Sequence, residues 1–269
     1  MTDRTNCHEV ARRLLVYDTD QSQSVLVTRN LVYRSSGGRE LHFDVYRCHT
    51  PTASRRPAVL LTTGFRDHGI QKAIGCHAKD MQSYESWGRL LAATGVAAVT
   101  YVNDEPVSDA RAILEHLREN AETLQIDAGR IGVWACSGNV PTALSLLMSG
   151  SAVSCAALLY GYMLDVDGST GVRDAARTWH FANPTAGRHA SDLPADLPLL
   201  VVRAGCDSMA GLNDSIDRFT TQALEHNLPL TLVNLPNAHH AFDTVDVDRP
   251  SRLAIRCVLD FLRRHTSEG

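Results

Sequence analysis

The chain has 269 residues, is 44% apolar and 21% charged, and carries a formal net charge of −4 at pH 7. That length suits one large α/β domain or two small ones, and both fractions are ordinary for a globular protein. The weak negative charge gives no basis for a nucleic acid partner, and no apolar run approaches the roughly 20 residues that a membrane-crossing helix needs. Residues 1–20 hold acids and no apolar stretch, so no secretory leader is expected. The seven cysteines are scattered, without a C-x-x-C pair. Free thiols in a reducing cytoplasm are therefore the expectation.

Residues 1–22 are polar and of mixed charge; they read as an arm, either loose or forming a short helix, ahead of a single domain over 23–269. Residues 25–33 and 40–46 alternate apolar with polar, and Ser35, Ser36, Gly37 and Gly38 lie between them. That pattern predicts an antiparallel hairpin. After Pro57 the rhythm changes to short apolar runs at 58–61, 96–102, 131–134, 156–160, 199–202 and 230–235. Such runs suit strands buried on both faces of a parallel sheet.

Helical spacing separates several of these runs. Ala110, Ile113, Leu114 and Leu117 share a face, as do Val140, Ala143, Leu144, Leu147 and Met148. The same holds for Leu212, Ile216, Phe219 and Ala223, and for Leu253, Ala254, Cys257, Val258, Phe261 and Leu262. Strands alternating with helices predict right-handed crossovers and a sheet covered on both sides. The expected class is α/β: a mostly parallel, doubly wound eight-stranded sheet that begins with an antiparallel hairpin. Residues 161–197 break the rhythm, being rich in Gly, Asp, Thr, Ala and Pro and containing Trp179, His180 and Phe181. A long insertion after a sheet strand is more often a functional loop or lid than a plain connection, and this one is expected to lean over residue 137.

Residues 130–139, R-I-G-V-W-A-C-S-G-N, carry the strongest functional signal. An apolar strand runs into the small residues Ala135, Cys136, Ser137 and Gly138, and helical spacing starts at Val140. A sharp strand-to-helix turn with a serine at its corner is a nucleophile elbow. The helix N-terminus behind the hydroxyl favours nearby negative charge. The bland alternative is a serine that only caps a helix. Cys136, ending a buried strand, reads as a small packed hydrophobe.

A serine hydroxyl needs a base to take its proton, and the base needs an anion to fix its tautomer. In a sheet of this type the acid and then the histidine follow the serine in sequence. The run 199–202 leads through Gly205 to Asp207, and the run 230–235 leads to His239 and His240. All of these positions fall at the carboxyl ends of strands, where ligands gather in open α/β sheets. Rival acids are Asp214, Asp165 and Asp167. Gly138 should give one backbone N–H to an oxyanion, and the loop Thr62-Thr63-Gly64-Phe65 should give the other from Phe65. Adjacent histidines rarely point the same way, so a metal site at 239–240 is not expected; Cys76 and His77, near His68, read as ordinary loop chemistry. Trp179, Phe181, Tyr101 and His239 are candidates for lining a substrate pocket. Tyr101, Asn103 and Glu105, which follow a strand end, read rather as capping the next helix or facing water than as edging the pocket.

The motifs T-T-G-F (62–65), A-C-S-G-N (135–139), G-C-D (205–207) and H-H-A-F (239–242) resemble the α/β-hydrolase fold and, more narrowly, its dienelactone-hydrolase-like branch. The resemblance covers about residue 25 to the C-terminus. It implies that His240, directly before the small-aromatic pair, is the base rather than His239. The elbow departs from G-x-S-x-G at Ala135 and Asn139, and the nucleophile position holds Ser137 where dienelactone hydrolases proper have cysteine. The expected activity is cleavage of a carboxylic ester or lactone of a small to medium organic molecule by Ser137, His240 and Asp207. No cofactor or metal and no membrane partner is expected, and a homodimer stays open. Acyl transfer, thioester or peptide cleavage by the same residues is the first alternative. A non-catalytic ligand-binding protein is the second.

Overall fold

Strands that are apolar on both sides have no face to give to water, and they take the middle of a sheet. The computed structural model describes residues 8–36, 38–49, 54–165 and 171–267. It contains an eight-stranded sheet in the order β1-β2-β4-β3-β5-β6-β7-β8. In chain order the strands are β1 (Val25–Ser36), β2 (Arg39–Cys48), β3 (Arg56–Leu61), β4 (Ala97–Tyr101), β5 (Ile126–Cys136), β6 (Ala156–Leu159), β7 (Leu199–Ala204) and β8 (Leu230–Leu235). The helices are α1 (Asp20–Gln23), α2 (Asp67–Ile74), α3 (Gln82–Ala93), α4 (Pro106–Glu119), α5 (Val140–Leu147), α6 (Val172–Trp179), α7 (Leu212–Glu225), α8 (Phe242–Val245) and α9 (Arg249–Ser267). The β1–β2 and β2–β4 pairs are antiparallel and the other pairings are parallel. The expected hairpin is β1–β2; Gly37 of its turn lies outside the described residues.

The alternation of side chains along a strand sends neighbouring residues into two cores. Along β3, Ala58 and Leu60 enter one core while Val59 and Leu61 enter the other; β7 divides in the same way. Ile113 of α4, Leu144 of α5 and Ile216 of α7 close the first core, and Trp87 of α3 with Ile255 and Val258 of α9 closes the second. β8 differs from the expectation. It is the sheet edge, and Thr231, Leu232 and Asn234 are exposed, because only one side of the strand has a neighbour. The helix α3 was not foreseen: its apolar spacing, Tyr84, Trp87 and Leu91, is short and interrupted by charged residues. Among the described residues, no helix is long and apolar enough to cross a membrane.

The described part of the arm is docked rather than loose. It forms a short 3-10 turn over Glu9–Arg12 and then α1. His8 N–H donates to the Ile74 carbonyl (2.9 Å) and Val16 N–H to the Asp243 carbonyl (2.8 Å), while Ala11 and Leu15 are buried.

Pairing register decides which loops meet. Cys136 lies beside Leu159, Leu159 beside Val202, and Ala204 beside Leu235. The loops after β5, β6, β7 and β8 therefore leave one edge of the sheet together. Those after β7 and β8 are also stitched directly, by Gly205 N–H to the Leu235 carbonyl (2.8 Å) and Cys206 N–H to the Ala238 carbonyl (2.8 Å). Gly205 is where they touch most closely: a Cβ on it would lie 2.3 Å from the Pro236 carbonyl oxygen. Gly205→Ala is expected to lower stability by about 1–3 kcal/mol, read from chemical denaturation at unchanged m-value, because backbone on both sides must yield.

Candidate active site

Ser137 follows the last residue of β5 and begins the short 3-10 turn Ser137–Asn139 that leads into α5. Its φ is 54°, in the left-handed region. For a non-glycine residue that conformation costs on the order of 1–3 kcal/mol and persists only where the surroundings over-determine it. The turn leaves the side chain partly exposed at the sheet edge.

The Ser137 hydroxyl lies 3.0 Å from His240 Nε2, and His240 Nδ1 lies 2.6 Å from Asp207 Oδ2. A carboxylate only accepts, so Nδ1 carries the proton, Nε2 is left as an acceptor and the hydroxyl donates to it. The Asp207 side chain is 0% exposed and that of His240 28% exposed. Asp207 Oδ1 accepts the Met209 N–H (2.9 Å), so both carboxylate oxygens are held. A hydroxyl, an imidazole and a buried carboxylate in this order can pass a proton off the hydroxyl and stabilise the resulting imidazolium.

The neighbouring candidates stand elsewhere. His239 is exposed and turned away, with Nδ1 2.9 Å from Asp246 Oδ1. Asp214 lies in the first turn of α7, Asp165 is buried and accepts from Asn183 Nδ2 (3.4 Å), and Asp167 lies outside the described residues. Cys136 is half-buried, and burial pushes its thiol pKa up to about 12.

The loop after β3 is tied at every peptide. Thr62 N–H donates to the Trp134 carbonyl (2.8 Å) and Thr63 N–H to the Tyr101 hydroxyl (3.3 Å). Gly64 N–H donates to Asn139 Oδ1 (2.7 Å), and the Gly64 carbonyl accepts the Ala182 N–H (2.8 Å). The Phe65 carbonyl accepts from Asn103 Nδ2 (2.9 Å), which also donates to Thr63 Oγ1 (2.7 Å). The loop presses on the elbow so closely that a Cβ on Gly64 would fall 2.6 Å from the Gly138 carbonyl oxygen. Because C=O and N–H of a trans peptide point opposite ways, the Ala182 contact fixes the direction of the Phe65 N–H.

Sequence reasoning missed these supports. Asn139, noted only as a departure from the elbow pattern, clamps the loop through Gly64 and donates to the Tyr84 hydroxyl (3.0 Å). A glycine there could do neither. Tyr101 and Asn103 are fully buried and brace the loop from beneath, so Tyr101 lines no open pocket; Glu105 pairs with Arg66 at the start of α4. The 161–197 insertion, in its described parts, does lean over the elbow. Phe181 pairs with Phe65 as an isolated β-bridge. Its ring stacks on Tyr162 (centroids 5.2 Å apart), and a Cβ on Gly138 would meet Phe181 at 2.7 Å and Phe65 at 2.8 Å. Trp179, at the end of α6, is 53% exposed rather than enclosed. Among the described residues, no group of three His, Cys, Asp or Glu side chains is placed to hold a metal.

No protein-family model matches this sequence, and no curated protein matches it. Solved structures do match in shape. One of two fungal esterases from Rhizomucor miehei aligns at a TM-score of 0.67 and 16% identity, over 91% of this chain and 85% of that one. The esterase LipW from Mycobacterium marinum aligns at 0.67 and 18%, over 90% and 82%. MGS-M1, an α/β-hydrolase enzyme from a Medee basin deep-sea metagenome library, aligns at 0.65 and 16%, over 91% and 99%. With its strand order and its helices on both faces, the chain has the α/β-hydrolase fold.

Proposed function

We propose that this protein is a serine hydrolase that cleaves a carboxylic ester or lactone of a small to medium organic substrate through an acyl-enzyme on Ser137. The observation that carries this reading is the hydrogen-bonded line from the Ser137 hydroxyl through His240 to the buried Asp207, at 3.0 and 2.6 Å. The esterases among the structures of similar fold support it. The motifs at 62–65, 205–207 and 239–242 place it, on this reading, in the dienelactone-hydrolase-like branch. The cytoplasm is its proposed location, in keeping with the free thiols of Cys136, Cys155, Cys206 and Cys257.

The chemistry follows from the geometry. Ser137 Oγ attacks the carbonyl carbon while its proton passes to His240 Nε2. The carbonyl π electrons move onto oxygen, and the N–H groups of Phe65 and Gly138 receive that oxyanion. Asp207 holds Nδ1–H and stabilises the imidazolium. Collapse of the tetrahedral species breaks the bond to the alkoxy oxygen, which takes the proton from Nε2 and leaves as an alcohol, or stays tethered if the substrate is a lactone. Water then loses a proton to Nε2 as it attacks the acyl-enzyme, and Ser137 recovers its proton as the acid departs. The tied loop costs little reorganisation when charge develops, which is the condition under which oxyanion donors are most effective.

A fluorophosphonate probe is expected to label the wild type and not Ser137→Ala; a folded wild type that takes no label would favour the ligand-binding alternative. His240→Ala is expected to lower kcat/KM for a p-nitrophenyl ester by more than about a thousandfold, whereas His239→Ala keeps most of it. The reverse order would move the base to His239.

Cys136 supplies a separate check on the nucleophile. With its pKa raised to about 12 by burial, it stays a thiol at pH 8 and is expected to resist iodoacetamide in the folded protein. Mass spectrometry should find the exposed Cys206 alkylated first.

Asn139→Ala frees the Gly64 N–H. It is expected to lower kcat by about tenfold with little change in KM, short of the roughly hundredfold that deleting an oxyanion donor costs. A rise in KM at unchanged kcat would show that the clamp serves binding instead.

A further inference from the structure

A second buried carboxylate lies behind His240, and the relay does not use it. Asp243 stands in the first turn of α8, three residues beyond the imidazole, and is 1% exposed. Its Oδ2 accepts Trp87 Nε1–H from α3 (2.8 Å), and its Oδ1 accepts the Tyr160 hydroxyl from the end of β6 (2.8 Å). Its carbonyl accepts the Val16 N–H of the docked arm. Two elements distant in sequence thus converge on this side chain, and a third on its backbone. Burying an ionisable carboxyl is costly, and an apolar residue would fill the same space more cheaply.

The contacts run from Asp243 to the reacting atoms. The Tyr160 ring meets the His240 ring edge-on, with centroids 5.1 Å apart, and meets Phe242 at 5.5 Å on its other side. Tyr160 (φ 33°) and Ala241 (φ 58°) both hold left-handed backbone on either side of the imidazole, a conformation that non-glycine residues keep only where the surroundings enforce it. Tyr160 also faces the Cys136 thiol, which receives Asn139 Nδ2 at 3.8 Å. A buried polar line therefore passes beneath the elbow, from Gly64 through Asn139, Cys136 and Tyr160 to Asp243. The groups facing Asp243 are Trp87 and Tyr84 on α3, Cys136 on β5, Tyr160 after β6 and His240 on its own loop. Of these, only His240 can take a positive charge.

We propose that Asp243 is a positioning residue for His240: it holds Tyr160 and the turn at Ala241 so that the imidazole stays between Ser137 and Asp207. The inference rests on the serine-hydrolase reading above and deepens it. Burial holds the Asp243 carboxyl above the ordinary carboxylate range, against the opposing pull of the bonds from Trp87 and Tyr160 and of the nearby imidazole.

Asp243→Asn tests this while preserving shape. The amide oxygen can still accept from Trp87, but the other acceptor becomes an amide N–H, so the Tyr160 hydroxyl must turn to accept or lose its anchor. The His240 ring resonances, followed by NMR and assigned by their loss in His240→Ala, are expected to move as the imidazole loses its fixed position. Turnover is expected to fall about tenfold in kcat, with KM and melting temperature near wild type. Tyr160→Phe keeps the ring on His240 and removes the hydroxyl, and should lower kcat several-fold without raising KM. A lower melting temperature in both variants, with the His240 ring resonances and kcat unmoved, would make Asp243 a purely structural group and overturn the proposal. Failure of the wild type to turn over esters or take a phosphonate would instead strike the serine-hydrolase reading. The NMR resonances read the influence of Asp243 on the imidazole in either case.

Discussion

Parallel strands all run the same way, so every loop that follows one leaves by the same edge of the sheet. That constraint underlies the rest of this molecule. β5, β7 and β8 are parallel neighbours in the series β5-β6-β7-β8, and their register puts Ser137, Asp207 and His240 at one rim although they are 103 and 33 residues apart in the chain. No single turn could bring them together. The sheet does so as a consequence of burying apolar runs on both faces, and helices α5, α7 and α9 exist largely to cover those faces.

Placing loops near each other is not enough to hold the hydrogen-bonded line of Ser137, His240 and Asp207 in place. Here the precision comes from hydrogen bonds made by groups with nowhere else to go. The carboxylate of Asp207 is buried, and both its oxygens are taken. The loop bearing Phe65 is fixed from three sides: Tyr101 and Asn103 below, Asn139 on the elbow, and Ala182 from the insertion above. An unpaired backbone group buried in such a place would be expensive, so each of these contacts resists being broken. Dipoles fixed in this way are what electrostatic stabilisation of an oxyanion requires.

Much of this was legible in the sequence because it depends on local, periodic signals. The two-sided apolar runs, the helical stripes in α4, α5, α7 and α9, and the small residues around Ser137 each follow from short-range pattern. Other features were not legible, for identifiable reasons. β8 reads as a fully buried strand, but being at the edge is a property of strand order, which no single run encodes. The stripe of α3 is broken by Glu85 and Arg89, whose charges are met by Arg29 and by each other. Asn139 reads as a flaw in a glycine pattern; its purpose shows only when Gly64 and Tyr84, 75 and 55 residues away, are seen on either side of it.

The sequence by itself determined the class of the fold, the order serine, acid, histidine along the chain, and the small residues a tight corner demands. These follow from side-chain size, polarity and spacing, which are local quantities. Only the tertiary structure decided which of two adjacent histidines faces Ser137, which acid faces the histidine, and what pins the loop at Gly64. It also revealed that Asp243 lies buried behind the imidazole. Those facts depend on which way side chains point once distant segments are packed, and direction after packing is set by neighbours that are absent from the surrounding sequence.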